Sequence, residues 1–298
     1  MIRKYQESDF LQVMDLLQRS CAYDDITEAL LKEKLYGDPA WDPRITLVAE
    51  ERGTVIGFMQ GVTRDIRGEK YAYLKLFAVD PAHRRRGVAR EMLQNLEDHF
   101  RARACSYFRL MDVPLNYLMP GIDPRYTEAL CFALNSGFEH KGNACNMSVD
   151  LDGRSWATAE DTERLARENI EIRRARESDM ASLLDLIRAE WSLWEHEVTC
   201  ALLHPVPAVF IALKNGRVLA FAAYDGNNAG TGWFGPMGTA KDLRGKGIGG
   251  ILLYLCLNDL RNAGLHKATI PWVDPVCFYS HYADARIDRV FWRFEKKL

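Results

Sequence analysis

The residue types best suited to chemistry lie in a basic, glycine-rich loop, Arg244-Gly245-Lys246-Gly247-Ile248-Gly249-Gly250. It follows an apolar strand, Trp233-Phe234, that breaks at Gly235-Pro236-Met237-Gly238-Thr239. Ile248, Ile251, Leu252 and Leu255 share one face at helical spacing, so the loop is expected to open a helix that Gly264 closes. The start of a helix has N–H groups without intrahelical partners and a partial positive charge, which suits a phosphate. Glycines let an anion approach the main chain and let successive N–H groups converge on it. Arg244 and Lys246 add full charges. A single such loop reads equally well as a solvated turn. A second, Arg84-Arg85-Arg86-Gly87-Val88-Ala89, also opens a helix, and the recurrence favours a ligand loop. A dinucleotide-binding fold is set aside as a rival, and the P-loop pattern G-x-x-x-x-G-K-[ST] is missing.

The elements that must position these loops repeat as well. Ile2-Arg3-Lys4-Tyr5-Gln6-Glu7-Ser8-Asp9 recurs as Ile172-Arg173-Arg174-Ala175-Arg176-Glu177-Ser178-Asp179, with five of eight residues identical. An amphipathic stretch follows each copy, with Ser8 and Ser178 as the expected helix N-caps. Next in each half come two apolar strands joined by a glycine turn, at Arg52-Gly53 and at Asn215-Gly216. Three landmarks in the same order predict two homologous α/β domains, at 1–150 and 170–298, with a polar, charged linker at 151–169.

Bulk properties agree with a soluble, two-domain chain. There are 298 residues, 48% hydrophobic and 27% charged. The net charge of −2 gives no general attraction to nucleic acid or to anionic membranes. No apolar run reaches the ~20 residues of a membrane helix, and the start lacks a signal-peptide core. Seven scattered cysteines without a C-x-x-C pair argue against a disulfide framework and against a zinc site. The chain reads as cytoplasmic, with no metal expected.

The pattern R-x-x-G-x-[GA] after a strand resembles the acyl-CoA loop of the GCN5-related N-acetyltransferases (GNAT). Arg244, Gly247 and Gly249 match it in the second half, and Arg84, Gly87 and Ala89 in the first. Val79-Asp80-Pro81 is similar to the V-x-P that leads into that loop. The resemblance implies two tandem GNAT-type domains, each a mixed, mostly antiparallel twisted sheet flanked by helices. It also implies acetyl-CoA as cosubstrate, held by Met237, Gly238, Thr239, Arg244, Gly245, Lys246, Gly247, Ile248, Gly249 and Gly250. Acyl transfer from a thioester needs a polarised carbonyl, a neutral amine and a proton for the departing thiolate. By the same resemblance, N–H groups near Gly235 to Thr239 polarise the carbonyl. Pro236 has none to offer, which leaves Met237, Gly238 and Thr239.

Family members commonly supply the proton from a tyrosine in a motif resembling F-Y-x-x-x-G-[FA]. Phe278-Tyr279 sits there in the second half, which makes Tyr279 the candidate general acid, with Tyr282 as fallback. The bland alternative is a core aromatic whose hydroxyl is tied to a backbone carbonyl. Asp284 stands where glycine is usual, which leaves the helix end in question. In the first half the tyrosine position is Ala133, although the closing Gly137-Phe138 matches; Tyr117 and Tyr126 are conceivable substitutes. The first copy is therefore expected to be non-catalytic. Glu195, His204, Asp225 and Asp274 are candidate bases, each reading more simply as an ordinary polar residue.

Trp191 and Trp194, beside Glu190, Glu195 and Glu197, read either as an aromatic mouth for a cationic amine or as a core pair on an amphipathic helix. The core pair is the expectation. The leading function is acetyl transfer from acetyl-CoA to a primary amine of a small molecule, by direct attack in a ternary complex. The alternatives are a protein or peptide acceptor and a non-catalytic acyl-CoA-binding protein.

Overall fold

The repeated Ile-Arg-x-x-x-Glu-Ser-Asp segment builds the same clamp twice. Arg3 holds both carboxylate oxygens of Asp9 at 2.7 Å, and the Gln6 N–H donates to the same carboxylate at 2.8 Å. In the second copy Arg173 holds Asp179 at 2.6 and 2.9 Å, and the Arg176 N–H donates at 2.7 Å. Ser8 and Ser178 are not N-caps; they lie inside a short 3-10 turn, Glu7–Asp9 or Glu177–Asp179. The aspartate takes the capping role, because a carboxylate can serve a guanidinium fork and a backbone N–H together.

This computed structural model describes residues 1–298. In chain order the elements of the first half are β1 (Ile2–Lys4), α1 (Phe10–Ser20), α2 (Glu28–Leu35), β2 (Thr46–Glu51), β3 (Thr54–Ile66), β4 (Glu69–Val79), α3 (Val88–Ala102), β5 (Tyr107–Leu110), α4 (Thr127–Asn135) and β6 (Glu139–Asp150). Those of the second half are α5 (Ala159–Ala166), β7 (Ile170–Arg174), α6 (Met180–Glu190), α7 (Glu195–Leu202), β8 (Val209–Lys214), β9 (Arg217–Tyr224), β10 (Phe234–Thr239), α8 (Ile248–Asn262), β11 (Lys267–Ile270), α9 (Val276–Ala283) and β12 (Arg286–Lys297). No helix is long and apolar enough to cross a membrane.

The chain divides into two compact units, Met1–Ala144 with Val290–Leu298, and Cys145–Arg289. In the first, β1, β2, β3 and β4 pair antiparallel in turn, β4 pairs parallel with β5, and β5 pairs antiparallel with β12. One face of this sheet packs on α1 and α2, the other on α3 and α4. In the second unit β7, β8, β9 and β10 pair antiparallel, and β11 pairs antiparallel with the end of β6. Here α6 and α7 cover one face, α5, α8 and α9 the other.

These units differ from the contiguous segments expected from sequence. Val290–Leu298, counted there with the second half, runs beside β5 with Phe294 opposite Leu110. The end of β6 runs beside β11, with Met147 opposite Ile270. Nor is 151–169 a free connector: Leu151 and Leu165 are fully buried in the second unit's core. Apolar burial decides membership, and no local pattern in β12 says which sheet it will complete.

Phe294 is fully buried between the first unit's sheet and helices. Phe294→Ala should therefore cost about 3–5 kcal/mol, the range for emptying a packed phenylalanine site. Urea denaturation followed by circular dichroism should show a lowered midpoint, although the substitution is five residues from the C-terminus at Leu298.

Candidate active site

The chemistry in the second unit starts where β10 and β11 part. Trp233 and Thr269 make an isolated parallel contact, the Thr269 N–H donating to the Gly232 carbonyl at 2.8 Å. Beyond it β10 is an edge strand with a ladder to β9 only. Ala240 N–H donates to Leu219 at 2.8 Å, and the register places Thr239 opposite Ala220 and Gly238 opposite Phe221. Antiparallel ladders bond alternate residues, so Gly238 is spent on β9, while the N–H groups of Met237 and Thr239 face the opening. Of the three predicted carbonyl-polarising residues, geometry retains two and gives Gly238 a ladder role.

The loop after β10 is held from behind. The Arg244 Nε donates to the Thr239 carbonyl at 3.1 Å, as Arg84 does to Val79 at 3.1 Å in the first unit. Gly245 and Gly247 both have φ of +79°, a conformation that favours glycine, and Gly247 is the N-cap of α8. Ile251 N–H makes the first helical bond, to Gly247, so the N–H groups of Ile248, Gly249 and Gly250 have no helical partner. These three donors, with the Arg244 guanidinium, form the anion site expected from sequence.

Two predicted ligand residues have other duties. Lys246 is ion-paired with Glu168, and its carbonyl accepts from Arg164 at 3.1 Å. Gly249 and Gly250 are needed for helix packing: a Cβ at Gly249 would press on Met237 and Phe278 at 3.3 Å, and one at Gly250 would overlap the Tyr282 ring. Gly245, Gly247 and Gly250 do fall at G-x-G-x-x-G spacing, a point that spacing alone leaves open. The dinucleotide reading fails on topology, because the strand entering this loop is antiparallel to its neighbour rather than part of a βαβ unit.

Tyr279 lies on α9, with its ring edge-to-face against Phe234 of β10 at 6.1 Å. Its hydroxyl makes no hydrogen bond with any protein group, so it is not the tied core aromatic of the alternative reading. Burial pushes its pKa upward, keeping the proton on oxygen at neutral pH. Tyr282 instead lies against Gly250, a packing position. Asp284 adopts the left-handed conformation (φ 51°) that Gly137 adopts in the first unit, and Arg154 meets its carboxylate at 3.1 Å. The helix end is thus preserved without the glycine, since aspartate tolerates this region.

None of the candidate bases is well placed. Glu195 is ion-paired with Arg188, His204 is hydrogen-bonded to the Asp225 carbonyl at 3.1 Å, and Asp274 is exposed. Trp191 and Trp194 are stacked (5.4 Å, 16°) and only half-buried. They are not a core pair: a Cβ on Gly238 would come within 2.7 Å of the Trp191 ring. Helical spacing could not show this contact, because it joins residues far apart in sequence.

The first unit keeps the frame and changes its contents. Ala133, at the tyrosine position, is fully buried. The Tyr126 hydroxyl donates to Asp24 at 2.6 Å and accepts from the Tyr23 N–H, so it is committed; Tyr117 is buried. Loop arginines face carboxylates, Arg84 toward Glu128 at 3.6 Å and Arg86 toward Glu51 at 3.8 Å. Cys21, which ends α1 as Trp191 ends α6, lines an opening of about 370 Å³ with Leu17, Leu76, Phe77 and Met119.

A sheet split between two strands, with an anion-binding helix start at the split, defines an acyl-CoA-dependent acyltransferase fold. The model of the acetyltransferase (GNAT) family matches the chain twice, over residues 10–117 and 168–276. A protein of Yersinia pestis (strain Pestoides F) named acetyltransferase is 35% identical over 114 residues, covering 37% of this chain and 74% of its own. An acetyltransferase of Sodalis glossinidius is 34% identical over 113 residues, covering 37% and 73%. Among solved structures, a fungal multi-domain β-N-acetylglucosaminidase with a glucosamine N-acetyltransferase region superposes with a TM-score of 0.83 at 18% identity, over 99% of this chain and 38% of that one. A tandem GNAT protein from the clavulanic acid biosynthesis pathway gives 0.71 at 14% identity, over 100% and 98%. The chain belongs to the acetyltransferase (GNAT) family, and acetyl transfer is the chemistry that membership carries.

Gly250→Ala forces the α8–α9 contact apart. It should destabilise the protein by about 1–3 kcal/mol, as overpacking does, measured as a lower thermal midpoint.

Proposed function

We propose that the second unit transfers an acetyl group from acetyl-CoA to a primary amine of a small molecule, by direct attack within a ternary complex, and that the first unit is non-catalytic. The observation that carries this is the unpartnered hydroxyl of Tyr279 beside β10, with Ala133 in its place in the first unit. The cofactor's pyrophosphate would sit on the N–H groups of Ile248, Gly249 and Gly250 and on Arg244. Met237 and Thr239 would donate to the thioester oxygen as negative charge develops there. The amine nitrogen bonds to the acetyl carbon, the carbon–sulfur bond breaks, and Tyr279 protonates the leaving thiolate. Gly245 shapes the loop, and Lys246, through Glu168, ties it to the segment after α5.

Tyr279→Phe removes one oxygen from an apolar site. Turnover of an amine panel should fall about 10²–10⁴-fold while acetyl-CoA affinity is unchanged, read by steady-state kinetics and calorimetry. Unchanged turnover would eliminate Tyr279 as the acid.

Calorimetric titration with acetyl-CoA separates the two units. Arg244→Glu should abolish binding and Arg84→Glu should leave it intact, with circular dichroism confirming both folds. Loss with Arg84→Glu alone would move the cofactor site to the first unit.

A further inference from the structure

The acceptor side of β10 is walled by tryptophan. Trp191 lies directly on Gly238, between the two residues whose N–H groups face the opening. Trp194 stacks on Trp191 at 5.4 Å, and Phe221 supports both rings edge-on, at 6.0 and 6.4 Å. Both indoles are half-buried, so part of each remains open to a ligand. The neighbouring carboxylate of Glu195 is neutralised by Arg188. In the first unit the position of Trp191 is Cys21, so the wall belongs to the second unit alone.

We infer that Trp191 and Trp194 form the specificity-determining surface for the acceptor, and that they select a cationic amine through the indole faces. This rests on the second unit being the acetyl-transferring one. Indole is the best aromatic partner for a cation. An amine acceptor arrives as an ammonium and must lose a proton before it attacks. A carboxylate partner would hold that proton by stabilising the charged form, whereas a largely apolar, desolvating wall disfavours it. The aromatic wall therefore attracts the charged acceptor without opposing its deprotonation, consistent with a site in which no carboxylate or histidine is placed as base.

The test uses the full chain and tetramethylammonium, a cation that cannot be acetylated, against neutral neopentyl alcohol of similar size. Indole N–H resonances of Trp191 and Trp194 are assigned from Trp191→Phe and Trp194→Phe. Tetramethylammonium should shift both resonances saturably, and neopentyl alcohol should shift them at least tenfold more weakly at equal concentration. Trp191→Leu should abolish the Trp194 shift, and Trp191→Phe should retain a weakened one, separating loss of the cation site from misfolding. No saturable shift, or equal shifts from both probes, overturns the inference. Acetyl-CoA calorimetry on the Trp194→Leu variant should give wild-type affinity. Failure of acetyl-CoA to bind the wild type would sink the acetyl-transfer reading and leave the cation result to stand or fall by itself.

Discussion

Past the contact between Trp233 and Thr269, β10 keeps hydrogen bonds on one edge only, and its other edge faces the opening toward β11. Unpaired backbone N–H groups away from water are costly, so a protein rarely leaves them without a partner. At Met237 and Thr239 the register leaves them to a ligand carbonyl. The glycine loop, the α8 N-terminus and the tyrosine of α9 are arranged around that opening. Closing it with one more ladder would leave the loop and the tyrosine with nothing to act on.

The same frame built twice shows which residues hold it and which only fill it. The Arg–Asp clamp, the loop arginine on the strand's last carbonyls and the left-handed glycine before the helix are present in both units. They stabilise backbone geometry, and that geometry tolerates little variation. The contents differ: Cys21 against Trp191, Ala133 against Tyr279, and Arg85 at φ 64° where the second copy has Gly245. A non-glycine residue in that region carries strain of about 1–2 kcal/mol, which the first copy sustains in a loop whose arginines face carboxylates.

Local pattern was enough for the two copies, the strand–loop–helix unit and the position of Tyr279, because each depends on periodicity, turn chemistry or short spacing. Tertiary structure decided the rest. Gly249 and Gly250 look like ligand glycines in sequence, yet their Cα atoms lie against Phe278 and Tyr282. Lys246 looks like a free phosphate ligand, but Glu168 takes it, 78 residues away. Trp191 and Trp194 have the spacing of a core pair, and only the contact with Gly238 places them at the site. The segment Val290–Leu298 completes the sheet of the first unit although it is encoded after the second. Which backbone amide stays unpaired depends on the register between strands, and which side chain meets a glycine depends on how helices pack across them. Both are set by contacts distant in sequence, where a single chain carries little local signal.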